Sequence, residues 1–207
     1  MTLLAALVAL VAWAQTPEEI LAKMSEAMDE KENGGMAMTM DMKIPIMGTI
    51  SMRMYTLGKK SKMETTLKGR LVIMWDDGKT MRTYNGEDNR ITVEDSTSGG
   101  DSSSEADENL GLAKSATEGY DVKLVKETAD AWYFACKKQK TNKEKDAPKN
   151  MELSVWKDSY CLREMNTSMK GVKLTLRDVT YNITEEDVTF DESRFPDAEV
   201  IDKRKHE

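Results

Sequence analysis

The stretch Met36-Ala-Met-Thr-Met-Asp-Met-Lys-Ile-Pro-Ile46 decides the fold, because Met36, Met38, Met40, Met42, Ile44 and Ile46 alternate with mostly small or polar residues. A period of two is a strand with one apolar face. The alternation resumes at Ile50, Met52 and Met54 after Met47-Gly48-Thr49, so the two runs predict a hairpin with its thioethers on one side of a sheet. Methionine is unbranched and polarizable, the side chain of surfaces that accept more than one apolar partner. The spacing therefore points to a sheet face built to hold something apolar.

Working outward, Thr16-Pro17-Glu18-Glu19 is a helix start, with Thr16 as cap, Pro17 at the first helical position and Glu19 where a capping box needs a carboxylate. Ile20, Leu21, Met24 and Met28 follow at helical spacing. This predicts a helix to about Lys31, ended by Asn33-Gly34-Gly35, with its apolar stripe on the sheet. Beyond it, Gly48, Gly58, Gly78 and Gly86 punctuate expected strands over 36–46, 49–56, 61–67, 70–76, 79–84 and 90–94. Strand 70–76 is apolar on both faces and should be covered on each side. Residues 95–118 form a polar loop and a weakly apolar helix whose sizeable side chains are Leu110 and Leu112; they read equally as a lid or as a surface excursion. Strands are expected again over 120–126, 131–138, 151–157, 160–166, 171–178 and 179–184. Two halves of strands around one lid-like segment fit a single large curved sheet.

At 207 residues, 39% hydrophobic and 32% charged, the chain suffices for one domain. A formal charge of -7, with scattered Lys and Arg, argues against nucleic acid as a partner. The apolar run Leu3–Ala14 ends in Ala12-Trp13-Ala14, a small-x-small pattern, and reads as a secretory signal over residues 1–14 with cleavage after Ala14. Residues 15–207 are then expected to be one exported, soluble, monomeric domain, and Gln15 in place of Cys argues against a lipid anchor there. In an oxidising compartment Cys136 and Cys161 are open to a disulfide, yet on the first and third strands of a meander they stand roughly 9 to 10 Å apart, too far to bridge; both free thiols and a disulfide remain open.

The C-terminal Val188-Thr-Phe-Asp-Glu-Ser-Arg-Phe195-Pro196-Asp-Ala-Glu-Val-Ile-Asp202 resembles the closing segment of the periplasmic outer-membrane lipoprotein carriers, the LolA-like family. Val72-Ile-Met-Trp-Asp-Asp-Gly78-Lys-Thr-Met-Arg-Thr-Tyr84-Asn is similar to that family's Asp-Gly hairpin. So is the order helix, strands, lid, strands. The resemblance implies a mainly β fold, an open and strongly bent antiparallel sheet or half-barrel with helices covering its concave face. It implies acyl chains of a lipid or acylated lipoprotein as ligand, taken from an inner-membrane donor and passed to an outer-membrane acceptor in a Gram-negative periplasm. One departure stands out. The family's carriers place an Arg-Pro where this chain has Met54-Tyr55, and the adjacent Arg53 points to the opposite face, so the family's lid latch is missing at this position. The same fold used for envelope-stress sensing or scaffolding is therefore an alternative.

No enzyme chemistry emerges. The one histidine, His206, is penultimate, which removes imidazole-based catalysis and zinc sites from consideration, and no cofactor motif is present. Gly78-Lys79-Thr80 resembles the end of a phosphate loop without its upstream glycine, since Ile73 stands there. Thioethers do select Cu(I), and the Met36–Met42 run is a rival reading. Along one strand those sulfurs stand some 6 to 7 Å apart, too far for one ion without Met52, Met54 or Met63 from a neighbouring strand. The candidate ligand-binding residues are thus Met36, Met38, Met40, Met42, Ile50, Met52 and Met54, with Met63 and Trp75 beside them and Leu110 and Leu112 on the lid; no metal site is assigned.

Overall fold

The structure, a computed structural model, describes residues 15–32, 34–96, 118–145 and 147–204. The expected signal 1–14, most of the lid-like segment with Leu110 and Leu112, and His206 lie outside the described residues.

Helix α1 (Pro17–Glu32) begins as its sequence requires. The Thr16 hydroxyl accepts from the Glu19 amide at 3.2 Å, and the Glu19 carboxylate accepts from the Thr16 amide at 3.0 Å, closing a capping box. Its stripe Ile20, Leu21 and Met24 is almost fully buried, each side chain contributing roughly 2 kcal/mol of apolar burial. The chain leaves the helix through Gly35, whose φ of 75° and position beneath the Thr56 carbonyl, 2.7 Å from where a Cβ would stand, admit only glycine.

Among the described residues twelve strands follow: β1 (Met36–Ile44), β2 (Gly48–Leu57), β3 (Lys60–Leu67), β4 (Arg70–Asp76), β5 (Thr80–Asn85), β6 (Arg90–Asp95), β7 (Tyr120–Glu127), β8 (Ala131–Lys138), β9 (Asn150–Trp156), β10 (Leu162–Met169), β11 (Val172–Tyr181) and β12 (Glu199–Asp202). They form one open sheet in the order β12-β6-β5-β4-β3-β2-β1-β11-β10-β9-β8-β7, in keeping with the half-barrel expected. Two meanders, β1–β6 and β7–β11, join where β1 pairs with β11. All pairings are antiparallel except that of β12 with β6. That exception differs from a purely antiparallel sheet. The connection from β11 is long enough to cross the sheet and return in the same direction as β6.

The two strands expected over 171–178 and 179–184 are one, β11, which bulges at Asp178 (φ 54°) and continues to Tyr181. Beyond Tyr181 the chain turns into the short helix α2 (Glu185–Val188) and a 3-10 turn (Glu192–Arg194).

Two cores occupy opposite faces of the sheet. On the face carrying the methionines, α1 packs with Met36, Met38 and Met40 of β1 and with Phe134, Leu153, Val155, Met165 and Leu176 of the second meander. On the other face α2 lies against β2 and β3, and the C-terminal segment lays Phe190 and Phe195 on Trp75, with ring centroids 5.1 and 5.7 Å away. This satisfies the double-sided apolar character of β4. Helical cover on the Met face is thus α1, among the described residues, while α2 belongs to the opposite face. Cys136 and Cys161 are both buried free thiols, one on β8 and the other immediately before β10.

Candidate functional site

Strand register converts the alternating methionines into transverse rows. Met38 opposes Met54, which opposes Met63, which opposes Met74, so four thioethers stand side by side on β1 to β4. The next row runs Met40, Met52, Thr65 and Val72, and Met42 opposes Ile50 beyond it. Neither of the two longer rows contains a charged side chain from β1 to β4. The Met40 row continues the other way through Leu176, Met165, Leu153 and Phe134 to Leu124 of β7.

Burial of this face falls off from β1 toward β4, with Met42, Met52 and Met54 still packed against the α1 cluster. Toward β7 the face is filled, since Leu176, Met165, Leu153 and Phe134 are at most 3% exposed beneath α1. Met36, Met38 and Met40 belong to that packed part. Met42, Ile50, Met52, Met54 and Met63 are half-buried, and Met63 is not part of the α1 cluster. Met74 and Met81, which the sequence reading does not single out, extend the same half-buried floor onto β4 and β5. The parity of strand 70–76 against Met63 carries the signal for Met74.

Trp75 is corrected by the same parity. Because Met63 opposes Met74, the next residue along β4 points away, and Trp75 opposes Lys62 and Arg82 on the opposite face. There it is 3% exposed, with its indole N–H buried and without a hydrogen-bond partner among the described residues. It forms no part of the methionine surface.

The opposite face near β1 is polar. Arg53 donates to the Thr39 hydroxyl at 3.2 Å, the Asp178 carbonyl at 2.8 Å and the Thr180 hydroxyl at 3.1 Å, tying β2 to β11 across β1. Arg177 donates to Asp41 at 2.8 Å and, with the Ser51 hydroxyl, holds that carboxyl below the usual carboxylate range. Burial pushes the Cys136 thiol up to about 11, and burial, with the Cys161 thiol beside it, raises the Tyr181 phenol well above its ordinary value. Both groups are neutral at physiological pH, which suits packing rather than chemistry. No group of three or more His, Cys, Asp or Glu side chains arranged to hold a metal occurs among the described residues.

No protein-family model matches the sequence, and no curated protein matches it. Solved structures similar to the chain include an uncharacterized conserved protein from Thermus thermophilus, at 16% identity and a TM-score of 0.44, over 91% of this chain and all of that one. MucB in complex with MucA(peri) is similar at 11% identity and a TM-score of 0.45, over 85% of this chain, which spans 60% of the MucB chain. A LolA superfamily protein from Nitrosomonas europaea is similar at 12% identity and a TM-score of 0.36, over 87% of this chain and all of that one. At such identities and scores they carry nothing about what this chain binds. No helix among the described residues is long and apolar enough to cross a membrane.

Proposed function

We propose that the protein is a non-catalytic periplasmic binder or carrier that holds the acyl chain of a lipid or lipoprotein on the half-buried part of its Met face. The observation that carries this reading is the uncharged floor of Met42, Ile50, Met52, Met54, Met63 and Met74, which runs on from the core beneath α1 without being part of its most deeply packed layer. Each buried methylene contributes about 0.8 kcal/mol, so one long acyl chain offers on the order of 10 kcal/mol before the cost of immobilisation. Binding on this scale requires no specific polar contact. The reading includes residues 1–14 as a removed secretory signal and 15–207 as a single domain. It also includes a monomer that meets an inner-membrane donor and an outer-membrane acceptor.

The test is native mass spectrometry with lipid extraction on protein purified from a Gram-negative periplasm without detergent. A co-purifying acyl species, displaced by a fluorescent fatty acid, is expected. A bare mass together with no probe uptake overturns the reading.

One observation favours a second use of the same floor. In the row Met38, Met54, Met63, Met74 neighbouring Cβ atoms stand about 5 Å apart, so Met54 and Met63, with one flanking methionine, bring three flexible thioethers within reach of one Cu(I) ion. A Met54→Leu/Met63→Leu variant separates the two readings. It keeps the apolar floor and acyl binding but removes two sulfurs, so its Cu(I) affinity in competition with a chelator falls only if copper is the ligand.

A further inference from the structure

Among the described residues, the large apolar side chains left exposed gather mainly at one end of the sheet. Ile46 is 107% exposed, Met47 74%, Leu71 44% and Leu67 43%. Lys43 opposes both Thr49 and Lys173, so the β1–β2 turn stands beside the β10–β11 turn. Met52 opposes Thr65, and running that register back to Gly48 brings the β3–β4 turn at Gly69 level with them. Three neighbouring hairpin tips thus share one rim.

The charge of these three tips is one-sided, while the next tip on the same rim, the β5–β6 turn beside Leu71, carries the exposed Glu87 and Asp88. Lys43, Lys68, Arg70, Lys170 and Lys173 are exposed on the three tips, and residues 43–49, 67–71 and 168–173 contain no carboxylate. This contrasts with a formal charge of -7 for the whole chain. At the apex, Ile46 has a φ of 71°, a left-handed conformation that glycine or asparagine adopts easily and a β-branched residue resists. Its side chain is fully in solvent, packed on nothing among the described residues.

We propose that this rim is a membrane-docking edge that seats Ile46 and Met47 at the headgroup boundary of an anionic bilayer, with the five cations against lipid phosphates. Apolar tips flanked by lysine and arginine match the layering of that interface, where acyl boundary and phosphates lie within one long side chain of each other. The proposal does not depend on what the Met face holds.

Vesicles of phosphatidylcholine with and without phosphatidylglycerol, co-sedimented with the periplasmically expressed protein, test it. Each cation near an anionic surface is worth about 1 kcal/mol, so Lys43→Gln/Lys170→Gln/Lys173→Gln is expected to weaken binding to the anionic vesicles on the order of 100-fold. Ile46→Asn/Met47→Ser, which suits the left-handed backbone, is expected to weaken it comparably without loss of thermal stability. Added salt reduces binding of the parent protein. Residues 3–14 are themselves apolar, so the tip variants decide. Equal binding to both vesicle types, or binding that survives both tip variants, overturns the proposal. A protein ligand that is lost in the tip variants while anionic vesicles never bind also overturns it and makes the rim a protein contact. Vesicle lipids also carry acyl chains, so Met63→Glu, which leaves the rim intact, is sedimented alongside: the rim proposal expects it to bind anionic vesicles like the parent protein, and loss of fatty-acid uptake with vesicle binding kept, or the reverse, tells the two readings apart.

Discussion

Met40→Glu and Met63→Glu place the same carboxylate on the same face of the sheet, two strands apart, and should have very different consequences. Met40 is 8% exposed, opposes Leu176 and belongs to the cluster under α1. Removing its burial costs about 2 kcal/mol, and a carboxyl held there with its pKa raised by some three units costs about 4 kcal/mol more at neutral pH. That sum is comparable with the whole stability of an ordinary domain, about 5 to 15 kcal/mol. Met63 is half-buried and outside that cluster, so its substituted carboxylate reaches water and costs about 1 kcal/mol. The pH dependence has a definite sign. A carboxyl whose folded pKa is raised binds its proton more tightly in the native state, so the deficit of Met40→Glu is least below the unfolded value of about 4.3 and grows as pH rises through the folded value. Urea denaturation followed by circular dichroism, with Met40→Gln and Met63→Gln as neutral references, measures both effects. On the acyl-binding reading, Met63→Glu stays folded and loses uptake of a fluorescent fatty acid. Equal destabilisation by the two glutamates would refute the difference in packing between Met40 on β1 and Met63 on β3.

Three further outcomes are expected. Gly35→Ala forces a Cβ to within 2.7 Å of the Thr56 carbonyl at a φ of 75°, and should lower stability by roughly 2 to 4 kcal/mol in thermal or urea unfolding. Cys136 and Cys161 are buried, and burial raises the Cys136 thiol to about 11, so a thiol reagent should modify both rapidly only after denaturation; fast labelling of Cys136 in the native protein would contradict the packing around it. Arg177→Gln removes the partner that lowers the Asp41 carboxyl. The wild type should therefore be the more stable protein above pH 3.8, Asp41's ordinary value, with that advantage vanishing as pH falls through the lower folded value; a difference independent of pH would assign it to packing instead.

Local features of this fold are legible in the sequence because their causes are local. The capping box at Thr16 and Glu19, the alternation through Met36 and the glycine turns locate α1 and the boundaries of β1 to β10 closely. The pairing of β1 with β11 has no such signal, since Met36 and Tyr181 meet only through tertiary structure. The extent of α1's cover is illegible for the same reason, so Met36 and Met63, alike in sequence, are not alike in burial. Trp75 shows how a face assignment fails: apolar character groups it with Met63, whereas the turn at Gly69 fixes a register that aligns Met63 with Met74. The break expected near residue 178 is a bulge, which interrupts a pattern without ending a strand.

The seam between β1 and β11 also sets the order in which the molecule can assemble. Each meander is made of neighbouring hairpins that need only short loops to close, whereas joining Met36 to Tyr181 closes a loop of about two thirds of the chain, at an entropic cost of about 4 kcal/mol. Hairpin formation within each meander should therefore precede the seam, and the seam should limit the folding rate. A chain cut between β6 and β7 would leave two pieces that meet at this seam and again on the opposite face, where β12 of the second piece pairs with β6 and Phe190 and Phe195 lie on Trp75; α1 is carried by the first piece and most of its packing partners by the second. Recombination of such pieces would then be a bimolecular reaction driven by the burial of Ile20, Leu21 and Met24 at the seam and of Phe190 and Phe195 on Trp75, and a second piece ending at Tyr181 would isolate the seam's share of the rate.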